Sequence, residues 1–366
     1  MDVLLLGGTG VIGDSLKDKL CGQKGYNIYI TSRKRRENKP NLHYICGNAM
    51  DDVFLREVVA THRWDCIVDF MSYSTIQFRK RIDLLLDATE QYVYISSARV
   101  YDFDQNNIDE NSKLLLDTTN NRFFLRHSDY ALDKGRQEQI LKRSGKNNWS
   151  IVRPYKTFSD SRLQLGCFEK EDWLFYCISH KTIIFSKDIE SKVTNLSYAG
   201  DVADSILEIV GNHSFLGKTK LVVTGVNISW KKVLDMYVSS IEANLKQPIN
   251  VVYGRNAYDI CRGTPDNTIK YDTLKNHFFC GKEGNPELEW KLEVRIKECI
   301  NSFLKNGDYK KIDWVLQARF DTISSNKTSL YDIPSLSKKI VYFLIRYLGG
   351  WNVFVLMRKI KYVLKK

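Results

Sequence analysis

Residues 1–16 read MDVLLLGGTGVIGDSL, and this stretch decides the fold class. A short apolar run ends in three glycines spaced three apart, Gly7, Gly10 and Gly13, and an apolar stripe with helical spacing follows. The run predicts a strand buried on both faces, and the stripe predicts a helix. The glycines therefore lie at a strand-to-helix turn, where they allow a tight bend, a close approach to a pyrophosphate and helix-on-strand packing. A purely structural turn is the alternative.

The rest of the chain continues this alternation. Short β runs and amphipathic helices follow one another from YNIYITS (26–32) to WSIVRP (149–154). This order predicts an α/β protein with a doubly wound parallel sheet. We expect a cofactor-binding domain over residues 1–160 with return elements at about 193–225, a smaller interleaved substrate region over 161–330, and a basic, apolar tail over 331–366.

Composition excludes several classes of site. The eight cysteines are scattered singly and the six histidines form no paired motif, so we expect neither a disulfide framework nor a metal site. No signal sequence precedes the first strand, which predicts a cytoplasmic protein. Eight of the basic residues fall within residues 338–366, where there is no Asp or Glu, so the net charge of +12 comes mainly from the tail. A nucleic-acid partner is therefore not favoured.

The tail itself leaves two interpretations open. Residues 340–357 are apolar and aromatic, but Arg346, Gly349 and Gly350 interrupt them, so a membrane span is not favoured. Two short amphipathic pieces with basic ends would suit peripheral contact with a membrane through residues 338–366. A C-terminal helix that packs on the body or on another subunit is the alternative.

The end of the second β run bears on the choice of cofactor. NAD enzymes usually carry an acidic residue about 20 residues past the glycines. Here the sequence has Thr31, Ser32 and Arg33. A hydroxyl and a guanidinium suit a 2′-phosphate, so the sequence favours NADP(H) over NAD(H). A solvated basic loop over residues 33–36 is the alternative.

Three pairs in the chain have the spacing Tyr-x-x-x-Lys, so position must distinguish them. Tyr130 and Lys134 lie on a predicted helix after the fifth β run, whose end carries Ser97. Residues four apart share one helix face. Tyrosine can donate or accept the proton at the carbon where a hydride moves, a nearby ammonium favours its phenolate form, and a serine can orient the substrate oxygen. We therefore predict Tyr130, Lys134 and Ser97 as catalytic residues.

Several motifs occur together in an order typical of one superfamily. The order GGTGVIG (7–13), GNAMDD (47–52), ISSARVY (95–101), Tyr130-x-x-x-Lys134, IVRP (151–154) and YAGDVA (198–203) resembles the extended short-chain dehydrogenases/reductases, in the NAD(P)-dependent epimerase/dehydratase group. The resemblance covers about residues 1–300. It implies a Rossmann domain, a homodimer, and sugar or nucleotide-linked sugar substrates of the kind used in polysaccharide biosynthesis.

The glycine turn and the resemblance together give a predicted set of cofactor-binding residues besides Tyr130 and Lys134. They are Gly7, Thr9, Gly10, Val11, Ile12, Gly13, Ser32, Arg33, Asn48, Ala49, Phe70, Met71, Pro154 and Tyr155.

Two departures from the family pattern narrow the reaction. Sugar dehydratases of the group carry Thr-Asp-Glu where this chain has Ser97, Ala98 and Arg99, so dehydration is not favoured. Arg99 is instead a candidate contact for a substrate phosphate. The sequence therefore predicts NADP(H)-dependent reduction of a keto group on a sugar, with epimerisation by tightly bound NAD as the alternative. The segment VDFMSY (68–73) also departs, and it resembles a divergent branch with RNA-associated members; RNA binding on a Rossmann scaffold is the least favoured function.

Overall fold

A computed structural model describes residues 1–168, 170–261, 266–306 and 312–350. The strands, in chain order, are β1 (Asp2–Leu6), β2 (Asn27–Ser32), β3 (Leu42–Cys46), β4 (Trp64–Asp69), β5 (Thr89–Ile95), β6 (Trp149–Pro154), β7 (Thr157–Phe158), β8 (Thr182–Ser186), β9 (Val193–Thr194), β10 (Ser197–Tyr198), β11 (Lys218–Val222), β12 (Ile228–Ser229) and β13 (Asn250–Gly254).

The helices, in chain order, are α1 (Val11–Cys21), α2 (Asp52–Ala60), α3 (Thr75–Asp87), α4 (Leu115–Thr118), α5 (Arg122–Arg126), α6 (Tyr130–Lys142), α7 (Lys170–His180), α8 (Lys187–Glu190), α9 (Ala199–Leu207), α10 (Trp230–Leu245), α11 (Ala257–Ile260), α12 (Asp266–Thr268), α13 (Pro286–Asn306), α14 (Trp314–Ser324) and α15 (Leu336–Tyr347). Short 3₁₀ turns occupy Ala98–Val100 and His213–Phe215, and a π-helical turn occupies Ile269–Thr273.

A parallel sheet forms the framework for the candidate site. Within the described residues, seven strands pair in the order β11-β6-β5-β4-β1-β2-β3, every pair parallel. The register places Leu4 of β1 between Tyr29 of β2 and Ile67 of β4. The predicted doubly wound fold is confirmed. Because all seven strands run the same way, their carboxyl ends lie along one edge of the sheet.

The apolar run that opens the chain is buried on both faces of the sheet. Leu4 and Leu5 point to opposite faces, as successive residues of a strand must, and neither side chain is exposed. Leu5 belongs to the apolar cluster that contains Leu16 of α1, whereas Leu4 belongs to the cluster that contains Phe78 of α3. Full burial of one leucine stabilises the fold by about 1.5 to 3 kcal/mol. This explains why β1 has a continuous apolar sequence rather than an alternating one.

The described residues form two compact units. The sheet unit contains Met1–Ser159, Asn195–Asn227 and His277–Leu292, and the second unit contains Asp160–Thr194, Ile228–Asn276 and the residues from Glu293. The second unit includes the parallel pair β8·β13 and the antiparallel pair β9·β12. The predicted assignment of residues 1–160 and 193–225 to the cofactor, and of 161–330 to the substrate, stays a prediction.

A disulfide joins Cys167 to Cys261 in the second unit, although the sequence analysis expected no disulfide framework. The two cysteines are 94 residues apart, and no local motif links them. Only the fold brings such distant residues together.

The described part of the tail is a single helix. Tyr342 and Ile345 of α15 are buried in an apolar cluster with Trp314 and Ala318 of α14. The helix is followed by Gly349 with φ +64°, at the predicted glycine hinge. The rest of the predicted tail, residues 351–366, lies outside the described residues. In the part of the chain that the structure describes, no helix combines the length and apolarity needed to cross a membrane.

Candidate active site

The glycine turn leaves room for a ligand at one position and none at the other two. A Cβ on Gly7 would lie 2.6 Å from the sulfur of Met71, and φ at Gly7 is +68°. A Cβ on Gly13 would lie 2.6 Å from the carbonyl oxygen of Gly8, whereas one on Gly10 would meet nothing within 4 Å. Gly7 is therefore required by its positive φ and Gly13 by its contact with the Gly8 backbone, whereas Gly10 faces open space.

This open space lies at the start of α1. Gly10 is the N-cap of the helix and offers no side-chain cap, so the first turn of the helix keeps N–H groups for a ligand. Val11 and Ile12 are the first helical residues, and Thr9 just before them is exposed. An anion at this point would meet free donors and the positive end of the helix dipole. The turn therefore fits a dinucleotide pyrophosphate.

The end of β2 is closed by its own hydroxyl groups. The Thr31 hydroxyl accepts the N–H of Gly7 at 2.9 Å, which ties β2 to the glycine turn. The Ser32 hydroxyl donates to the carbonyl oxygen of Lys34 at 2.8 Å and accepts its N–H at 3.3 Å. Ser32 is buried and Arg33 is exposed. The Ser32 hydroxyl is therefore engaged in a local turn rather than directed at a ligand.

The segment after β3 is also a turn. Asn48 is exposed, and its side-chain oxygen accepts the N–H of Met50 at 3.2 Å. Ala49 is buried, and Asp51 caps the start of α2. Asn48 and Ala49, both predicted to bind the cofactor, thus lie at the same edge of the sheet as the glycine turn.

A buried carboxylate lies at the end of β4. Asp69 is fully buried and accepts hydrogen bonds from the Tyr92 hydroxyl at 2.7 Å and the Met71 N–H at 2.8 Å. Burial raises the pKa of Asp69, although these hydrogen bonds oppose the rise. Phe70 and Met71 follow it and are partly exposed. Asp69 thus fixes the backbone of Met71, which in turn touches the glycine turn.

Lys134 connects this strand end with the next one. Its ammonium donates to the carbonyl oxygen of Ile95 at 2.7 Å and, more weakly, to that of Met71 at 3.4 Å, and it lies 4.5 Å from the centre of the Tyr94 ring. The side chain is 3% exposed. Burial lowers the pKa of Lys134 to about 8, although the charges of Asp69 and Glu138 oppose this. A lysine from α6 is therefore held at the carboxyl edge of the sheet.

Tyr130, by contrast, faces outward. It begins α6, is 42% exposed, and has the guanidinium of Arg99 at 5.3 Å from the centre of its ring. The N–H of Arg99 donates to the Ser97 hydroxyl at 3.2 Å, and Ser97 is largely buried at the end of β5. The structure thus gathers Ser97, Arg99 and Tyr130 at the edge where Lys134 meets Ile95.

The two cofactor-binding residues predicted at the end of β6 are buried. Pro154 is the last residue of β6 and pairs with Val222 of β11. Tyr155 is 1% exposed, and its hydroxyl shares a 2.8 Å hydrogen bond with Nδ1 of His277. Tyr155 is therefore packed in the interior just after β6, and its contact with a cofactor stays a prediction.

A buried ion pair supports this edge, and the sequence analysis missed it. Glu138 and Arg153 are both buried, and the guanidinium donates to the two carboxylate oxygens at 3.0 and 2.5 Å. Burial lowers the pKa of Arg153, but the hydrogen bonds and charge of Glu138 raise it more. Glu138 also accepts the Ser96 hydroxyl at 2.6 Å. The available signal was spacing, because Tyr130, Lys134 and Glu138 are each four residues apart on one face of α6.

The similarity of this chain to known proteins lies in its fold. No family model matches the chain, nor does any curated sequence. Solved structures do match it. An epimerase from Methanothermobacter thermautotrophicus is 14% identical, with a TM-score of 0.62, and the match covers 83% of this chain and 92% of that one.

Two further matches are structures with a bound dinucleotide. The dTDP-glucose 4,6-dehydratase of Bacillus anthracis, in complex with NAD, is 13% identical, with a TM-score of 0.61 over 84% of this chain and 97% of its own. The enzyme WbmH of Bordetella bronchiseptica, in complex with NAD⁺, is 14% identical, with a TM-score of 0.60 over 84% of this chain and 99% of its own. The chain shares the parallel-sheet Rossmann fold of these structures. At these identities the likeness establishes the fold, and the resemblance expected from the sequence is confirmed at that level.

The predicted preference for NADP(H) over NAD(H) is wrong. The matching dehydratase of Bacillus anthracis and the enzyme WbmH of Bordetella bronchiseptica hold NAD and NAD⁺, respectively. The physical reason lies at the end of the second strand, where the Ser32 hydroxyl closes a turn with Lys34 and, of the two predicted residues, only Arg33 is exposed. Exposed basic side chains without the Ser32 hydroxyl do not make a site for a 2′-phosphate.

Proposed function

We propose that this chain is an NAD-dependent enzyme of the epimerase type, acting on one carbon of a sugar or a nucleotide-linked sugar. The observation that carries the proposal is the position of Lys134, whose buried ammonium is held 2.7 Å from the Ile95 carbonyl oxygen at the edge that the glycine turn also reaches. With a pKa of about 8, this lysine is mostly protonated at neutral pH. Its charge would favour a phenolate in its neighbourhood.

The residues present fit NAD. Gly10 and the first turn of α1 would hold the pyrophosphate, the exposed turn at Asn48 would face the adenine, and Met71 would contact the nicotinamide half. When bound, NAD would supply the acceptor and donor of the hydride. In the proposed arrangement, residues 1–160 with 193–225 bind NAD, and residues 161–330 bind the substrate.

Tyr130 would carry the proton. Its exposed phenol would take the proton of the substrate hydroxyl during oxidation and return it during reduction. The Ser97 hydroxyl would bind the same substrate oxygen and fix its orientation. Because the cofactor would be retained between the two half-reactions, the oxidised substrate could rotate and accept the hydride on its opposite face. The product would then differ from the substrate only in the configuration of that carbon.

Two neighbours of Ser97 support this reaction over dehydration. Elimination of water needs an acid and a base next to the sugar ring, and the chain offers Ala98 and Arg99 at those positions. Ala98 is buried and has no titratable group. Arg99, on the rim beside Tyr130, would pair with an anionic group of the substrate, such as the phosphate of a sugar nucleotide.

The test begins with the purified protein. We expect NAD to be released on denaturation, and we expect epimerised product without net NADH formation when UDP-glucose, UDP-glucuronic acid or dTDP-glucose is supplied. Tyr130→Phe should lower turnover about 10²- to 10⁴-fold while NAD stays bound. Tyr331→Phe, at an exposed tyrosine outside the predicted substrate region, is the control and should leave turnover unchanged.

The outcomes separate the candidate functions. Net consumption of NADH with a keto sugar would replace epimerisation by reduction. Full activity in Tyr130→Phe would remove the assigned proton carrier, and a protein that binds no NAD would refute the proposal as a whole. A homodimer, which the resemblance implies, stays a prediction for light scattering to check.

A further inference from the structure

The outer face of α15 is an apolar stripe. Six large apolar side chains of this helix and its C-cap are exposed by 44 to 73%: Leu336, Ile340, Phe343, Leu344, Tyr347 and Leu348. Their spacing of three and four residues places them within an arc of about 140° at 3.6 residues per turn. An amphipathic helix normally turns such an arc toward the core, but here it faces outward.

The opposite face of α15 fixes this orientation. Tyr342 is buried, and its hydroxyl donates to the fully buried carboxylate of Asp321 at 2.5 Å. The guanidinium of Arg346 donates to the carbonyl oxygen of Asn326 at 3.1 Å. Asp321 also accepts the Tyr176 hydroxyl at 2.8 Å, so the anchor joins three helices. Because these hydrogen bonds hold the opposite face of α15, the helix cannot rotate to bury its apolar stripe.

The concentration of apolar surface here is unusual for this protein. Among the described residues, eight of the sixteen exposed large apolar side chains lie between 330 and 348. Single exposed apolar residues are normal, whereas a contiguous patch indicates an interaction surface. One apolar face of α15 is buried and the other is exposed. We therefore expect a partner to cover the exposed stripe.

Charge identifies the partner. Lys338, Lys339 and Arg346 lie on α15, and residues 333–350 contain no Asp or Glu. Two copies meeting through this face would bring these positive charges together, which opposes association. A surface that offers negative charge and an apolar layer just beneath it complements both properties.

The length of the helix decides how it would meet a lipid layer. The 12 residues of α15 span about 18 Å at 1.5 Å per residue, well short of the roughly 30 Å hydrocarbon core. We propose that α15 docks the protein on an anionic membrane surface, with the stripe in the boundary between headgroups and acyl chains and the lysines at the phosphates.

Vesicle sedimentation with the full-length protein tests the proposal. We expect binding to vesicles of phosphatidylglycerol mixed with phosphatidylcholine, weaker binding at high salt, and little binding to phosphatidylcholine alone. The affinity of the double variant Ile340→Ser/Phe343→Ser for these vesicles should fall at least about tenfold, because two apolar side chains no longer enter the boundary. The matched control is Val53→Ser/Ile76→Ser, which removes two apolar side chains of the sheet unit that are at least as exposed as Ile340 and Phe343.

Each other outcome counts against the proposal. Failure to bind anionic vesicles, or an equal loss in the control variant, would overturn it. An oligomer that forms without lipid and dissociates in Ile340→Ser/Phe343→Ser would show that a second copy covers the stripe instead. Circular dichroism and retained NAD check that both variants are folded, and these readouts do not depend on membrane binding.

Discussion

The buried pair of Glu138 and Arg153 offers the sharpest test of how the sheet edge is held. The guanidinium is 2% exposed and the carboxylate is not exposed at all. Besides Glu138, Arg153 donates to the Tyr101 hydroxyl at 2.7 Å and to the Glu110 carbonyl oxygen at 3.1 Å. The substitution Glu138→Gln keeps the shape of the side chain and removes its charge. An arginine is then left in the interior without a counter-ion.

The expected cost follows from this burial. Removing one partner of a buried ion pair usually costs about 3 to 5 kcal/mol, because the remaining charge stays desolvated. Glutamine keeps one oxygen that can accept a hydrogen bond from Arg153 or Ser96, so we expect a loss near the lower limit, about 3 kcal/mol in the free energy of unfolding. The exposed pair of Asp87 and Lys146 is the contrasting case, since exposed pairs contribute about 0 to 1 kcal/mol.

Urea unfolding followed by circular dichroism measures both variants. Glu138→Gln should lower the midpoint concentration strongly, whereas Asp87→Asn should leave it almost unchanged, with similar slopes in both cases. A loss in Glu138→Gln no larger than that in Asp87→Asn would refute the reasoning, because the pair would then contribute no more than a solvent-exposed one. A second readout is turnover, since the Ser96 hydroxyl that Glu138 holds lies next to Ser97.

Two further predictions concern the glycine turn and the buried lysine. Gly13→Ala should destabilise the protein by about 1 to 3 kcal/mol, because its Cβ would press on the Gly8 backbone, whereas Gly10→Ala should leave the melting temperature unchanged and weaken NAD binding; unchanged NAD affinity in Gly10→Ala would remove that glycine from the binding site. Lys134 has its pKa lowered from 10.5 to about 8, so between these pH values the unfolded chain holds a proton that the folded chain has released. Stability relative to Lys134→Met should therefore rise with pH over that interval, by up to about 3 kcal/mol, and a flat difference in urea midpoint between the two proteins would contradict it.

The sheet and the order of its motifs could be predicted from the sequence because each rests on local pattern. The apolar run before Gly7 and the spacing of Tyr130 and Lys134 need no knowledge of distant residues. The hydrogen-bonding partners of these groups, by contrast, lie far away in the sequence and cannot be predicted from local pattern. The Ile95 carbonyl that holds Lys134 lies 39 residues away along the chain, and Glu138 meets Arg153 across a helix and a strand.

The choice of cofactor failed for a related reason. The residue types Ser32 and Arg33 suit a 2′-phosphate, but residue type does not reveal whether a hydroxyl is already engaged. In the fold the Ser32 hydroxyl closes a turn with Lys34. The disulfide was invisible for the same reason, because Cys167 and Cys261 are brought together only by tertiary structure.

The seventh strand of the sheet has a consequence for any shortened form of the protein. β11 begins at Lys218, more than sixty residues after β6 ends at Pro154, yet the two pair along their whole length. A fragment that stops near residue 160 would keep the glycine turn and Tyr130 but lose β11, so the backbone N–H and C=O groups of β6 that face β11 would be left unpaired. Such a bare edge invites pairing between chains, so a fragment of this kind would aggregate rather than behave as a minimal nucleotide-binding module.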